Sequence, residues 1–91
     1  MAPRTSIGTN AQGELMLLVV DGIEFSSPPQ GLTMYDAAQW WANLGGYNVM
    51  NLDGGGSSTA FYQGKVINLP HCQDHVKPIC ERPIATITCI K

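Results

Sequence analysis

Ninety-one residues, 44% hydrophobic and 13% charged, describe a folded chain of at most one domain rather than a disordered one. The net charge is −2, and Arg4, Lys65, Lys77, Arg82 and Lys91 are scattered, which excludes the basic patch that a nucleic-acid partner requires. The longest wholly apolar run, Leu15 to Val20, falls far short of the roughly 20 residues that cross a bilayer, so no membrane contact is expected from this segment.

In chain order, residues 4–9 read as a strand that turns through Asn10-Ala11-Gln12-Gly13 into a second strand over 14–21. That second strand is apolar on both faces, the pattern of a central strand in a sheet covered on both sides. It ends at Asp21-Gly22, and residues 23–31, with two serines and two prolines, form an irregular loop. Thr33 opens a helix, with Asp36 three positions on as a variant capping box. Met34, Ala37, Ala38, Trp41 and Leu44 fall on one helical face, which places Trp41 in the core, and Gly45-Gly46 ends the helix. Trp40 invites a second reading, as a platform for stacking on a sugar.

The next stretch is the densest in chemistry. A short strand leads into Asn51-Leu52-Asp53-Gly54-Gly55-Gly56-Ser57-Ser58-Thr59, a carboxylate followed by three glycines and three hydroxyls. Consecutive glycines are kept where backbone approaches something closely, and their amides, if they point one way, cradle an anion. Asp53 would lie at a strand's carboxyl end, the ligand side of an open α/β sheet. A flexible glycine turn would have the same composition.

Residues 59–62 and 65–67 flank Gln63-Gly64 as a hairpin. Residues 68–83 form a loop carrying His71, Cys72, His75 and Cys80, whose spacing does not match the common zinc patterns, so neither metal nor cofactor is expected. Cys72 and Cys80 bracket a short loop suited to a disulfide, with Cys89 paired elsewhere or free. Three reduced cysteines are the alternative. Residues 84–90 read as a last strand. The predicted fold is an α/β arrangement (a mixed α+β sheet) in which 14–20, 47–52 and 84–90 share one sheet and the 33–44 helix covers a face.

Five blocks in this order resemble the phosphodiester glycosidase domain: Arg4-Thr5-Ser6-Ile7-Gly8, Leu18-Val19-Val20-Asp21-Gly22, the amphipathic helix, Asn51 through Thr59, and Glu81-Arg82-Pro83-Ile84-Ala85. His71-Cys72-Gln73-Asp74 with Cys80 and Cys89 resembles the animal members of that family most closely. The resemblance implies a hydrolase that removes N-acetylglucosamine from a phosphodiester on the glycans of glycoproteins, exposing mannose 6-phosphate on lysosomal enzymes. It implies a secretory-pathway (Golgi) or extracellular setting, although the first residues lack the apolar stretch of a signal peptide. It also implies that residues 1–91 form the carboxyl-terminal portion of the family's domain, a partial domain.

The chemistry of such a bond fits the residues. A phosphate monoester, with a second pKa near 6, leaves with little proton assistance if its charge is held. A guanidinium holds it, because its planar fork binds two phosphate oxygens at once. The resemblance therefore suggests Asp53, Arg4 and Asp21 as catalytic residues, with Asp53 the carboxylate at the anomeric carbon. Gly54, Gly55, Gly56, Ser57, Ser58, Thr59 and Arg82 would bind substrate. A second acid, where one is used, would be Asp21, Glu24 or a residue upstream. A non-catalytic glycan- or phosphate-binding module is the rival expectation.

Overall fold

The computed structural model describes residues 1–23, 26–71 and 80–91. Its centre is β1 (Arg4–Asn10), which pairs antiparallel with β2 (Leu15–Val20) on one side and β3 (Gly46–Asn51) on the other. The β1–β2 turn is built by Asn10. Its Oδ1 accepts from the amides of Gln12 at 3.0 Å and Glu14 at 2.9 Å, while Gly13 takes the left-handed conformation that a side chain would resist.

Helix α1 (Met34–Asn43) starts on the expected box: Thr33 Oγ1 accepts from the Asp36 amide at 3.0 Å, and Asp36 Oδ2 accepts from the Thr33 amide at 3.1 Å. It ends at Leu44, and Gly45, left-handed, donates its amide to the Ala42 carbonyl. Ala37 and Trp41 face inward and are buried, whereas Trp40 is half exposed. The Trp41 ring lies on the sheet because two sheet positions lack side chains. A Cβ at Gly8 would stand 3.1 Å from Trp41 Cζ3, and one at Gly46 would stand 2.8 Å from Cε3. Trp41 Nε1 donates to Ser6 Oγ at 2.7 Å, which settles both polar atoms in a buried site.

β4 (Phe61–Tyr62) and β5 (Lys65–Val66) form the expected hairpin, with Gln63 and Gly64 both at positive φ as a type I′ turn demands.

Two expectations are corrected. The apolar strand β2 is an edge of the three-stranded sheet, with β1 at the centre, and Leu15 and Leu17 are about half exposed. Apolarity on both faces reports what must be covered, but the order of strands is decided by pairing, and β1 has partners on both sides. Residues 84–90 form no strand. They lie exposed, with Ile84, Ile87 and Ile90 all among the exposed large apolar residues. β-rich composition makes a strand only where a partner completes its ladder. The strands expected over 14–20 and 47–52 do share one sheet, and the helix covers one face of it, so the mixed α/β architecture stands in this smaller form.

Candidate functional site

The antiparallel order gathers the chemistry-bearing residues at one end of the sheet. Arg4 begins β1 and pairs with Val20, so Asp21 follows directly at the end of β2. On the other side the β1–β3 register, Ser6 opposite Asn51, reaches the Leu52 amide, which donates to the Thr5 carbonyl at 2.8 Å, and then slips by one residue, the Gly55 amide donating to the Pro3 carbonyl at 3.0 Å. Asp53 lies in the bend between these two bonds, its backbone passing alongside the start of β1 at Arg4. The rule about the carboxyl ends of parallel strands does not apply to this sheet. What joins the two residues is the pairing of a strand's beginning with its neighbour's end.

Arg4 lies on the same face as Ser6 and Gly8, toward the helix, by strand alternation. Its Nε donates to the Leu32 carbonyl at 3.0 Å, just before the helix cap. That bond fixes the root of the guanidinium and leaves its terminal nitrogens for other acceptors. Asp53 is exposed, and its Oδ1 accepts from the Gly54 amide at 3.1 Å. A cleft of about 320 Å³ lies between the helix and the sheet, lined by Ser6, Ala37, Trp41, Val49 and Asn51 among others.

The glycine segment folds into a 3-10 turn, Gly55–Ser57, and its amides do not form an open cradle. Besides those of Gly54 and Gly55, the amides of Ser57 and Ser58 donate to the carbonyls of Gly54 and Gly55, each at 3.1 Å. The reason for glycine at position 56 is space: a Cβ there would collide with the His71 carbonyl and stand 3.1 Å from Arg82 Nη1. Arg82, some 26 residues away in sequence, thus brings its guanidinium against the turn. Ser57 and Thr59 are half-buried. Ser58 is buried at 2% exposure, with no partner for its Oγ among the described residues.

Asp21 is differently placed from Asp53. Its Oδ1 accepts from Asn68 Nδ2 at 2.9 Å and its Oδ2 from the Leu69 amide at 3.0 Å. Asn68 also donates to the Ser58 carbonyl at 2.8 Å and accepts from the Ala60 amide at 2.8 Å. The sequence alone assigns nothing to Asn68. Its one signal there is an amide side chain just after the hairpin, where such residues often bond to the backbone. Glu24, Cys72 and His75 lie outside the described residues, as does one half of the expected bond between Cys72 and Cys80. Cys89 is free and exposed.

The start of β1 with Arg4, the bend with Asp53 and the glycine turn with Arg82 against it thus lie close along the chain's pairing. The phosphodiester glycosidase family profile matches residues 1–91, and the chain belongs to that family. It is 34% identical to N-acetylglucosamine-1-phosphodiester alpha-N-acetylglucosaminidase of Mus musculus over 99% of this chain, and 33% identical to the Homo sapiens protein of that name over the same share. Each alignment spans 17% of the relative's length. An SPbeta prophage-derived uncharacterized protein of Bacillus subtilis is 41% identical over 72% of the chain and 10% of its own length.

Proposed function

We propose that this chain supplies the carboxylate and the phosphate-holding arginines of a hydrolase that releases N-acetylglucosamine from a phosphodiester on glycoprotein glycans. The pairing that brings the backbone of Asp53 alongside the start of β1 at Arg4 is the observation that carries the reading. The leaving group is a phosphate monoester, which departs readily once its charge is held. Arg4, tethered by Nε and with no bond from its terminal nitrogens among the described residues, and Arg82, lying on the glycine turn, are the two groups suited to hold it. Asp53 then serves the anomeric carbon in one of two ways, taking a proton from an attacking water or attacking directly. The hydroxyls of Ser57 and Thr59 take the sugar or phosphate oxygens. On this reading the product is mannose 6-phosphate on lysosomal enzymes and the setting is the secretory pathway, in the Golgi.

The test is turnover of an N-acetylglucosamine phosphodiester by the protein that carries these residues. Asp53→Asn keeps the shape and removes the charge, so kcat falls by a factor on the order of 10² to 10⁴ with the thermal midpoint unchanged. Ser57→Ala costs about 1–2 kcal/mol of transition-state stabilisation, as for one neutral hydrogen bond. Near-normal turnover in the asparagine variant overturns the role of Asp53. Binding of the diester without any turnover in the unsubstituted protein supports a binding module instead.

A further inference from the structure

The bonds around Asn68 form the most complete polar network among the described residues, and no step of the proposed hydrolysis uses them. A single amide group meets three partners. Its Oδ1 accepts from the Ala60 amide, and its Nδ2 donates to both the Ser58 carbonyl and Asp21 Oδ1, all within 2.8–2.9 Å. The adjacent Leu69 amide takes the other oxygen of Asp21 at 3.0 Å. Two consecutive residues thus grip both oxygens of a carboxylate 47 and 48 positions away, while the same asparagine grips the backbone on either side of Thr59. Only an amide side chain presents an acceptor on one side and a forked donor on the other, so neither a carboxylate nor a methyl at position 68 satisfies this set.

We infer that Asn68 and Asp21 are a positioning pair for the hydrolytic site, and that Asp21 acts through this clamp rather than as the second acid. The inference rests on the hydrolase reading. Residues 58–60 belong to no helix or strand and come directly after the turn that seats Gly56 against Arg82. Asn68 ties that segment to the end of β2, the strand whose partner β1 carries Arg4. The clamp therefore connects the two halves of the site. Arg4 and Asp53 are set by the β1–β3 register, while Gly56, Ser57 and Arg82 are set by the glycine turn and by residues 58–60 beyond it. Displacement of reacting groups by about 1 Å costs on the order of 10² in rate, so a loosened clamp acts on turnover before it acts on folding. Both oxygens of Asp21 accept from this clamp, in contrast to Asp53, which bonds only to the neighbouring Gly54 amide among the described residues.

The experiment compares Asn68→Ala, Asp21→Asn and the double variant with the unsubstituted protein. It reads kcat and KM on an N-acetylglucosamine phosphodiester across pH, together with amide hydrogen exchange at Ala60 and Leu69. A positioning pair gives exchange faster at Ala60 in Asn68→Ala and at Leu69 in Asp21→Asn. It gives kcat lower by about 10- to 100-fold in each single variant with the shape of the pH profile retained. The double variant should be no worse than the poorer single one, because both changes open the same clamp. Loss of the alkaline limb of the profile in Asp21→Asn, with a far larger fall in kcat than in Asn68→Ala, makes Asp21 the acid and overturns the inference. Faster exchange with unchanged kcat makes the clamp merely structural and also overturns it. Absence of turnover in the unsubstituted protein is a separate result that overturns the hydrolase reading, and with it the catalytic half of the inference.

Discussion

The bond between Trp41 Nε1 and Ser6 Oγ offers the sharpest test of how this small core is held. The two residues are 4% and 3% exposed, so neither polar atom has water as an alternative partner. Ser6→Ala leaves a buried indole N–H without an acceptor, which costs about 1–3 kcal/mol. Trp41→Phe strands the serine hydroxyl instead and removes part of the ring lying against Gly8 and Gly46, for a total of about 2–4 kcal/mol. The double variant removes donor and acceptor together, so the penalty for an unpaired group is incurred in neither direction. The cycle should therefore show a coupling of about 1–2 kcal/mol. Urea unfolding followed by far-ultraviolet circular dichroism reads all four proteins without relying on Trp41 fluorescence. Trp41 is the only large side chain among the buried apolar residues described, beside Ala2 and Ala37, so each kilocalorie is a large share of the total. Additive effects, within about 0.5 kcal/mol, would refute the view that the bond rather than ring packing alone seats the helix on the sheet.

Three further outcomes are expected. Gly56→Ala forces a methyl group onto the His71 carbonyl and the Arg82 side chain, so it destabilises by about 1–3 kcal/mol and weakens inorganic phosphate binding, both of which should appear in one thermal-shift titration. Asp36 has its carboxyl held below the ordinary value of 3.8 by the Thr33 hydroxyl and the Thr33 amide. The stability it adds is present in full above that value and is lost as pH falls through the lower folded one, so the advantage of the unsubstituted chain over Asp36→Asn in thermal midpoint should shrink in strong acid, and a constant difference would refute it. Alkylation without reductant should label Cys89 and no other cysteine, with mass mapping joining Cys72 to Cys80.

Local signals in the sequence were legible where the cause is local. The Thr33 and Asp36 box, the Asn10 to Gly13 turn and the Gln63-Gly64 turn each depend on a few neighbouring residues and form as those residues dictate, while of the helical face expected over Met34, Ala37, Ala38, Trp41 and Leu44 only Ala37 and Trp41 are buried. Strand order is a different kind of fact. Nothing within Leu15 to Val20 says whether it pairs on one side or two, and nothing within residues 84–90 supplies the partner that would make them a strand. The site shows the same division. Asp53 and the glycines announce themselves by composition, but Arg4 is joined to Asp53 only through a register spanning 49 positions of chain, and Asn68 becomes visible only through bonds to Asp21, Ser58 and Ala60. The two aspartates look alike in sequence, each at a strand end before a glycine. They differ in what the fold brings to them: Asp21 meets an asparagine and a backbone amide that occupy both its oxygens, whereas Asp53 bonds among the described residues only to the amide of the next residue. On the hydrolase reading, the gripped carboxylate is the one that holds structure and the other is left to react, so the two roles would come from pairing rather than from the motif that contains each.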